Sequence, residues 1–145
     1  MPGEQKICFE DVKEGDAAPV RSHTLTRTDL AQYAGASGDF NPMHHDEVKA
    51  KAAGLPSVFG HGMFSMGLLA AALNDYVGVG NLTAYSVRFA KQTWPDDVLT
   101  TEIIVKTKRN EGDKNLVDMD VKLNNQNGDA VVVGEASAAL PSRVS

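Results

Sequence analysis

The chain has 145 residues and a mass of 15.5 kDa, with 42% hydrophobic and 23% charged residues, which predicts one globular domain rather than a disordered chain. A formal charge of −5 and a pI near 5.3 argue against non-specific nucleic-acid binding, which runs on a basic excess. The single cysteine, Cys8, excludes an internal disulfide and a Cys-based zinc site.

The opening Met1-Pro-Gly-Glu-Gln-Lys6 lacks the apolar core of a signal peptide. The run from Met66 to Leu73 is too short to span a bilayer. A cytoplasmic protein without membrane or nucleic-acid partners is expected. Residues 1–18 read as a polar lead-in and Pro19 to Leu25 as a first strand. Thr26 with Asp29 forms an N-cap with an acid in the first turn. A short helix follows through Leu30, Tyr33, Ala34 and Ser37, ended by Gly38. After Pro42, Asp46-Glu-Val-Lys-Ala-Lys-Ala-Ala53 predicts a second short helix closed by Gly54.

From Gly62, residues Met63, Met66, Ala70, Leu73 and Val77 keep helical spacing, and Leu68, Leu69, Ala71 and Ala72 make the remaining faces apolar as well. A helix greasy nearly all round predicts burial on several sides. Gly78-Val-Gly80 ends it. Four strands are expected after Asn81: Leu82 to Thr93, Val98 to Lys108, Leu116 to Leu123 and Ala130 to Leu140. Asn127-Gly128 marks a hairpin. A sheet of this kind curled round one greasy helix defines an α+β domain.

The most informative stretch is Tyr33-Ala-Gly-Ala-Ser-Gly-Asp-Phe-Asn-Pro-Met-His-His-Asp46. Asp39 and His44 lie five residues apart, which on a helix would put them on different faces. A Gly-Asp-x-Asn-Pro turn instead lets them converge. An acid and an imidazole that converge can orient a water for acid–base chemistry on a carbon–carbon double bond. The bland alternative makes Asp39 a turn cap and His44 a surface residue.

The segment resembles the signature of the MaoC-like dehydratases, the R-specific enoyl hydratases or hydratase 2. That pattern runs aromatic, small spacer, Ser-Gly-Asp-x-Asn-Pro, aliphatic, His, and a small residue six positions later. Tyr33, Ser37, Gly38, Asp39, Asn41, Pro42, His44 and Ala50 match it. Ala36 and Met43 depart from the usual residues but stay apolar, which bears on the substrate pocket more than on the chemistry. The resemblance continues through Phe59-Gly-His-Gly-Met-Phe-Ser-Met66 and the strand region.

It implies a hot-dog fold spanning 1–145, a curled antiparallel sheet around a long central helix, usually dimeric. It implies a hydro-lyase without cofactor or metal that reversibly hydrates trans-2-enoyl thioesters of coenzyme A or acyl carrier protein to (3R)-3-hydroxyacyl thioesters. Asp39 and His44 would be the catalytic pair and Asn41 would orient them. Gly62 would supply the oxyanion-hole N–H, since a helix N-terminus has unpaired donors and favours negative charge.

Ser65, Met43 and Phe64 are expected in the substrate pocket. Arg88 and Lys91 are placed against a phosphate-bearing carrier, with solvated strand charges as the alternative. His61 is open between a satisfied polar residue and a functional one. No His-x3-His or His-Glu-x2-His helix is present, so no metal site is expected, and His45 reads as a solvated helix-start residue. Ser65 lacks a Gly-x-Ser-x-Gly elbow. Rival readings are a hot-dog thioesterase and an acyl-binding subunit of a heterodimeric dehydratase. Acyl length, carrier, metabolic direction and homo- or hetero-oligomer stay open.

Overall fold

A computed structural model describes residues 7–143, so Met1 to Lys6, the segment tested for a signal peptide, lies outside the described residues. In chain order the elements are a 3-10 turn at Phe9–Asp11, β1 (Ser22–Thr24), α1 (Arg27–Ser37), a 3-10 turn at Pro42–His44, α2 (Glu47–Ala52), α3 (Gly62–Val77), β2 (Leu82–Phe89), β3 (Val98–Glu111), β4 (Lys114–Asn124) and β5 (Ala130–Ala139).

The start of α1 has the expected chemistry: the Thr26 hydroxyl accepts from the Asp29 N–H while the Asp29 carboxylate accepts from the Thr26 N–H. Both orphan donors are thereby satisfied. Gly38 ends α1 at φ 77°, a left-handed conformation costly for a side chain with Cβ. The Asp46 side chain caps α2, and Gly78 follows the last residue of α3.

The five strands form one antiparallel sheet in the order β1-β3-β4-β5-β2, and α3 packs across it. Leu69, Leu73 and Val77 from the helix join Ile103, Val105, Met119, Val121, Leu123, Val132, Ala136 and Ala138 in one core. Alternation along β4 is clean from Asp118 on, whereas Leu116 and Val117 are both buried. Next to them, opposite Asp118 and Met119, β3 carries a bulge, with Lys106 as the extra residue between Val105 and Thr107.

Several sequence expectations need correction. The first strand shrinks from Pro19–Leu25 to three residues. The first long strand stops at Phe89 rather than Thr93 because the N–H groups of Ala90 and Lys91 both turn to the Val131 carbonyl. The lead-in is not merely polar: Val12 and Ala18 are buried, and Ala17 bridges to Ile104. Helix α3 buries Ser65, Leu69, Ala72, Leu73 and Val77 but leaves Met63, Gly67, Ala71 and Asp75 exposed. One chain therefore covers a single face of this helix and leaves its apolar back open.

Candidate active site

The site begins with the turn after α1. The Ser37 hydroxyl donates to the Tyr33 carbonyl at 2.7 Å and accepts the Asp39 N–H at 3.1 Å. The Asn41 N–H donates to the Asp39 carboxylate at 3.2 Å, while the Asn41 side chain accepts the Met43 N–H at 3.1 Å. Asn41 thus steers the acid through its backbone, and its amide caps the 3-10 turn that Pro42 starts. This turn carries His44 inward, where it is buried, while Asp39 stays at the surface. His44 Nε2 lies 3.9 Å from Asp39 Oδ2.

That separation exceeds a direct hydrogen bond but is one that a single water can bridge. His44 Nδ1 sits 2.6 Å from the Phe59 carbonyl. A carbonyl only accepts, so Nδ1 carries a proton, and in the neutral form of the ring Nε2 is the bare nitrogen that faces Asp39. Two acceptors then face one volume, the arrangement that holds both hydrogens of a water. The sequence held no signal for Phe59, because every residue offers a carbonyl.

His61 completes the cluster. It is fully buried as N-cap of α3, stacks on His44 with centroids 3.9 Å apart and planes at 28°, and meets the Tyr33 ring at 4.8 Å. Burial pushes its imidazole below the ordinary value, neighbouring His44 adds to this, and the hydrogen bond to the Asp39 carbonyl offsets only part. Asp39, His44 and His61 offer donor atoms within 4.8 Å of one another. As a metal set they are poorly arranged, since lone pairs lie in the ring planes and nearly parallel stacked rings do not aim them at one point. His61 Nε2 is also engaged as a donor to the Asp39 carbonyl at 3.1 Å.

Gly62 opens α3, and neither its N–H nor that of Met63 has a protein partner among the described residues. A cavity of about 320 Å³ adjoins it, lined by Phe59, Gly60, Gly62, Ser65, Phe89 and Lys91 among others. Ser65 is buried against this cavity. Met43 and Phe64 do not line it: Met43 packs on the core, and Phe64 sits edge-on to Tyr33 at 5.6 Å. Lys91 is held by Asp129 at 2.7 Å, and Arg88 is exposed with no ion pair among the described residues. His45 points away, its Nε2 donating to the Phe40 carbonyl at 3.2 Å.

An acid, an imidazole and a free helix-end N–H set around a curled sheet define a protein class, and comparison with known proteins agrees. The family model "MaoC like domain" matches residues 11–127, and the chain belongs to that family. It is 31% identical over 137 residues to an (R)-specific enoyl-CoA hydratase of Rhodospirillum rubrum, covering 93% of this chain and 92% of that protein. Over 67 residues it is 39% identical to 3-hydroxyacyl-thioester dehydratase X of Mycobacterium tuberculosis, of which it spans 23%. Among solved structures, R-hydratase PhaJ1 of Pseudomonas aeruginosa superposes with a TM-score of 0.86 at 30% identity, covering 95% of this chain and 88% of that one. The architecture is the hot-dog fold. No helix among the described residues is long and apolar enough to cross a membrane.

Proposed function

We propose that this chain is a hydro-lyase that reversibly adds water to trans-2-enoyl thioesters, carried on coenzyme A or acyl carrier protein, to give (3R)-3-hydroxyacyl thioesters. The observation that carries the reading is the pair of acceptors, Asp39 Oδ2 and His44 Nε2, 3.9 Å apart; the His61 ring stacks on His44, and the next residue in the chain is Gly62, whose N–H has no partner among the described residues. Family membership and the hydratases and dehydratases among its relatives support it.

In the forward direction Asp39 and His44 hold one water, and the Asp39 carboxylate takes a proton as the oxygen bonds to C3 of the enoyl group. The double-bond electrons move onto the thioester oxygen, which accepts the Gly62 N–H at the positive end of α3. When this enolate collapses, C2 takes a proton from the pair. Water is thereby divided into a hydroxyl on C3 and a hydrogen on C2, and elimination runs through the same groups backwards. Ser65 lines the acyl side, and exposed Arg88 is the freer of the two cations for a carrier phosphate.

The active form is a dimer. β2 ends the sheet with one unpaired edge, and Phe40, Met63 and Phe89 expose apolar side chains near the site. The test supplies purified protein with a trans-2-enoyl thioester and, separately, its saturated counterpart. Loss of the conjugated double bond without thiol release is the expected result. Thiol release from both substrates would make the chain a thioesterase, and inactivity toward both would make it an acyl-binding subunit.

A further inference from the structure

We infer that His61 is a positioning residue for the catalytic pair, with one imidazole holding both Asp39 and His44 in place. The inference rests on the hydratase reading above for its kinetic consequence, but its geometry stands apart from it. The Asp39 peptide is pinned from two sides: Ser37 Oγ takes its N–H at 3.1 Å, and His61 Nε2–H donates to its carbonyl at 3.1 Å. The carboxylate itself is half exposed, and one backbone N–H, from Asn41, is its hydrogen-bond donor among the described residues. Without the His61 bond, residue 39 could turn and carry the acid away from His44.

The same ring is the platform under His44. Stacked at 3.9 Å, it fixes the tilt of the imidazole that must present Nε2 to water. Its own face is braced by Tyr33. The platform has to be uncharged, because His44 becomes a cation whenever it holds a proton in the cycle. A cation stacks favourably on a neutral ring, whereas two cations at this distance repel. Burial lowers the imidazole's pKa and so favours this uncharged form.

The other nitrogen shows that packing is not what this side chain is for. His61 Nδ1 is buried and has no hydrogen-bond partner among the described residues. A buried acceptor without a donor is a cost that an aliphatic residue would avoid. Filling space would be served better by leucine. What leucine lacks is the N–H and the flat ring.

The experiment compares wild type, His61→Leu and His61→Gln, the glutamine reaching the Asp39 carbonyl with a neutral N–H as Nε2 does. For His61→Leu, kcat on an enoyl thioester should fall about a hundredfold, the scale of an ångström's misplacement, with KM little changed. The melting temperature should not fall in proportion, and His61→Gln should recover most of the kcat. Crystal structures of the variants give a reading that needs no turnover. The Asp39–His44 separation should open past the span one water bridges, about 5.5 Å, in the leucine variant and stay closed in the glutamine variant.

A wild-type kcat in His61→Leu, or an unchanged separation there, overturns the inference. So does a glutamine variant as slow as the leucine one with the Asp39–His44 separation still closed, which would make His61 itself an acid or base. If wild type hydrates no enoyl thioester yet the separation opens as expected, the hydratase reading falls and the positioning role stands.

Discussion

At the scale of single residues, division of labour follows from burial. His44 is sequestered with its Nδ1–H tied to the Phe59 carbonyl, which fixes its tautomer, and Asp39 stays half exposed beside it. Asp39→Asn keeps the size of the side chain and its acceptor for the Asn41 N–H while removing the base. His44→Gln keeps a polar group but removes the titratable one. In the proposed mechanism both groups serve one water, so either change should lower kcat/KM by about 10²–10⁴, the range of general acid–base catalysis, and the double variant should lose little more. His45→Ala is the silent control. In the same assay Gly62→Val should raise the barrier by about 3 kcal/mol, the worth of one oxyanion donor. A Cβ at position 62 would meet the Phe89 ring at 3.0 Å, a half-exposed side chain with room to move, so the variant should fold. Additive losses at Asp39 and His44, or near-native turnover in Gly62→Val, would separate these residues from the chemistry.

At the scale of elements, the sheet is held by more than its ladder. Asp118 on β4 accepts two bonds from Arg109 and one from Thr107 on β3, and a fourth, at 2.6 Å, from Ser137 on β5. The Arg109 guanidinium foremost, with the two hydroxyls, outweighs burial and holds the Asp118 carboxyl at about 2 against an ordinary 3.8. The folded state therefore binds this proton less readily than the unfolded chain, and stability rises with pH between those two values. The contribution, roughly 2 kcal/mol, is complete above about pH 5 and lost as pH falls toward 2. Chemical denaturation at pH 6 and pH 3 should show wild type losing more stability than Asp118→Asn, and equal losses would count against the network. The elements themselves were largely legible in the sequence, because caps such as Thr26–Asp29 and a 3.6-residue apolar repeat are local signals. The bulge at Lys106 and the early end of β2 at Phe89 were not, since both depend on which carbonyl a neighbouring strand offers.

At the scale of the molecule, the convergence of Asp39 and His44 was readable from one turn motif, whereas the stacking of His61 on His44 was not. That contact joins a turn near residue 40 to a helix start near residue 61, and no spacing rule encodes it. The exposed back of α3 escapes the sequence for a related reason: apolar composition does not say whether the covering surface belongs to the same chain. Met63, Gly67 and Ala71 on that face, with the free edge of β2, argue for a second subunit, and sedimentation at micromolar concentration should give a dimer mass. A monodisperse monomer would remove that part of the account. The central claim is stereospecific hydration, and the chirality of the product tests it most directly. Purified protein given a trans-2-enoyl-coenzyme A should yield the (3R)-3-hydroxyacyl thioester alone; a (3S) or racemic product, or no hydration at all, would contradict the assignment.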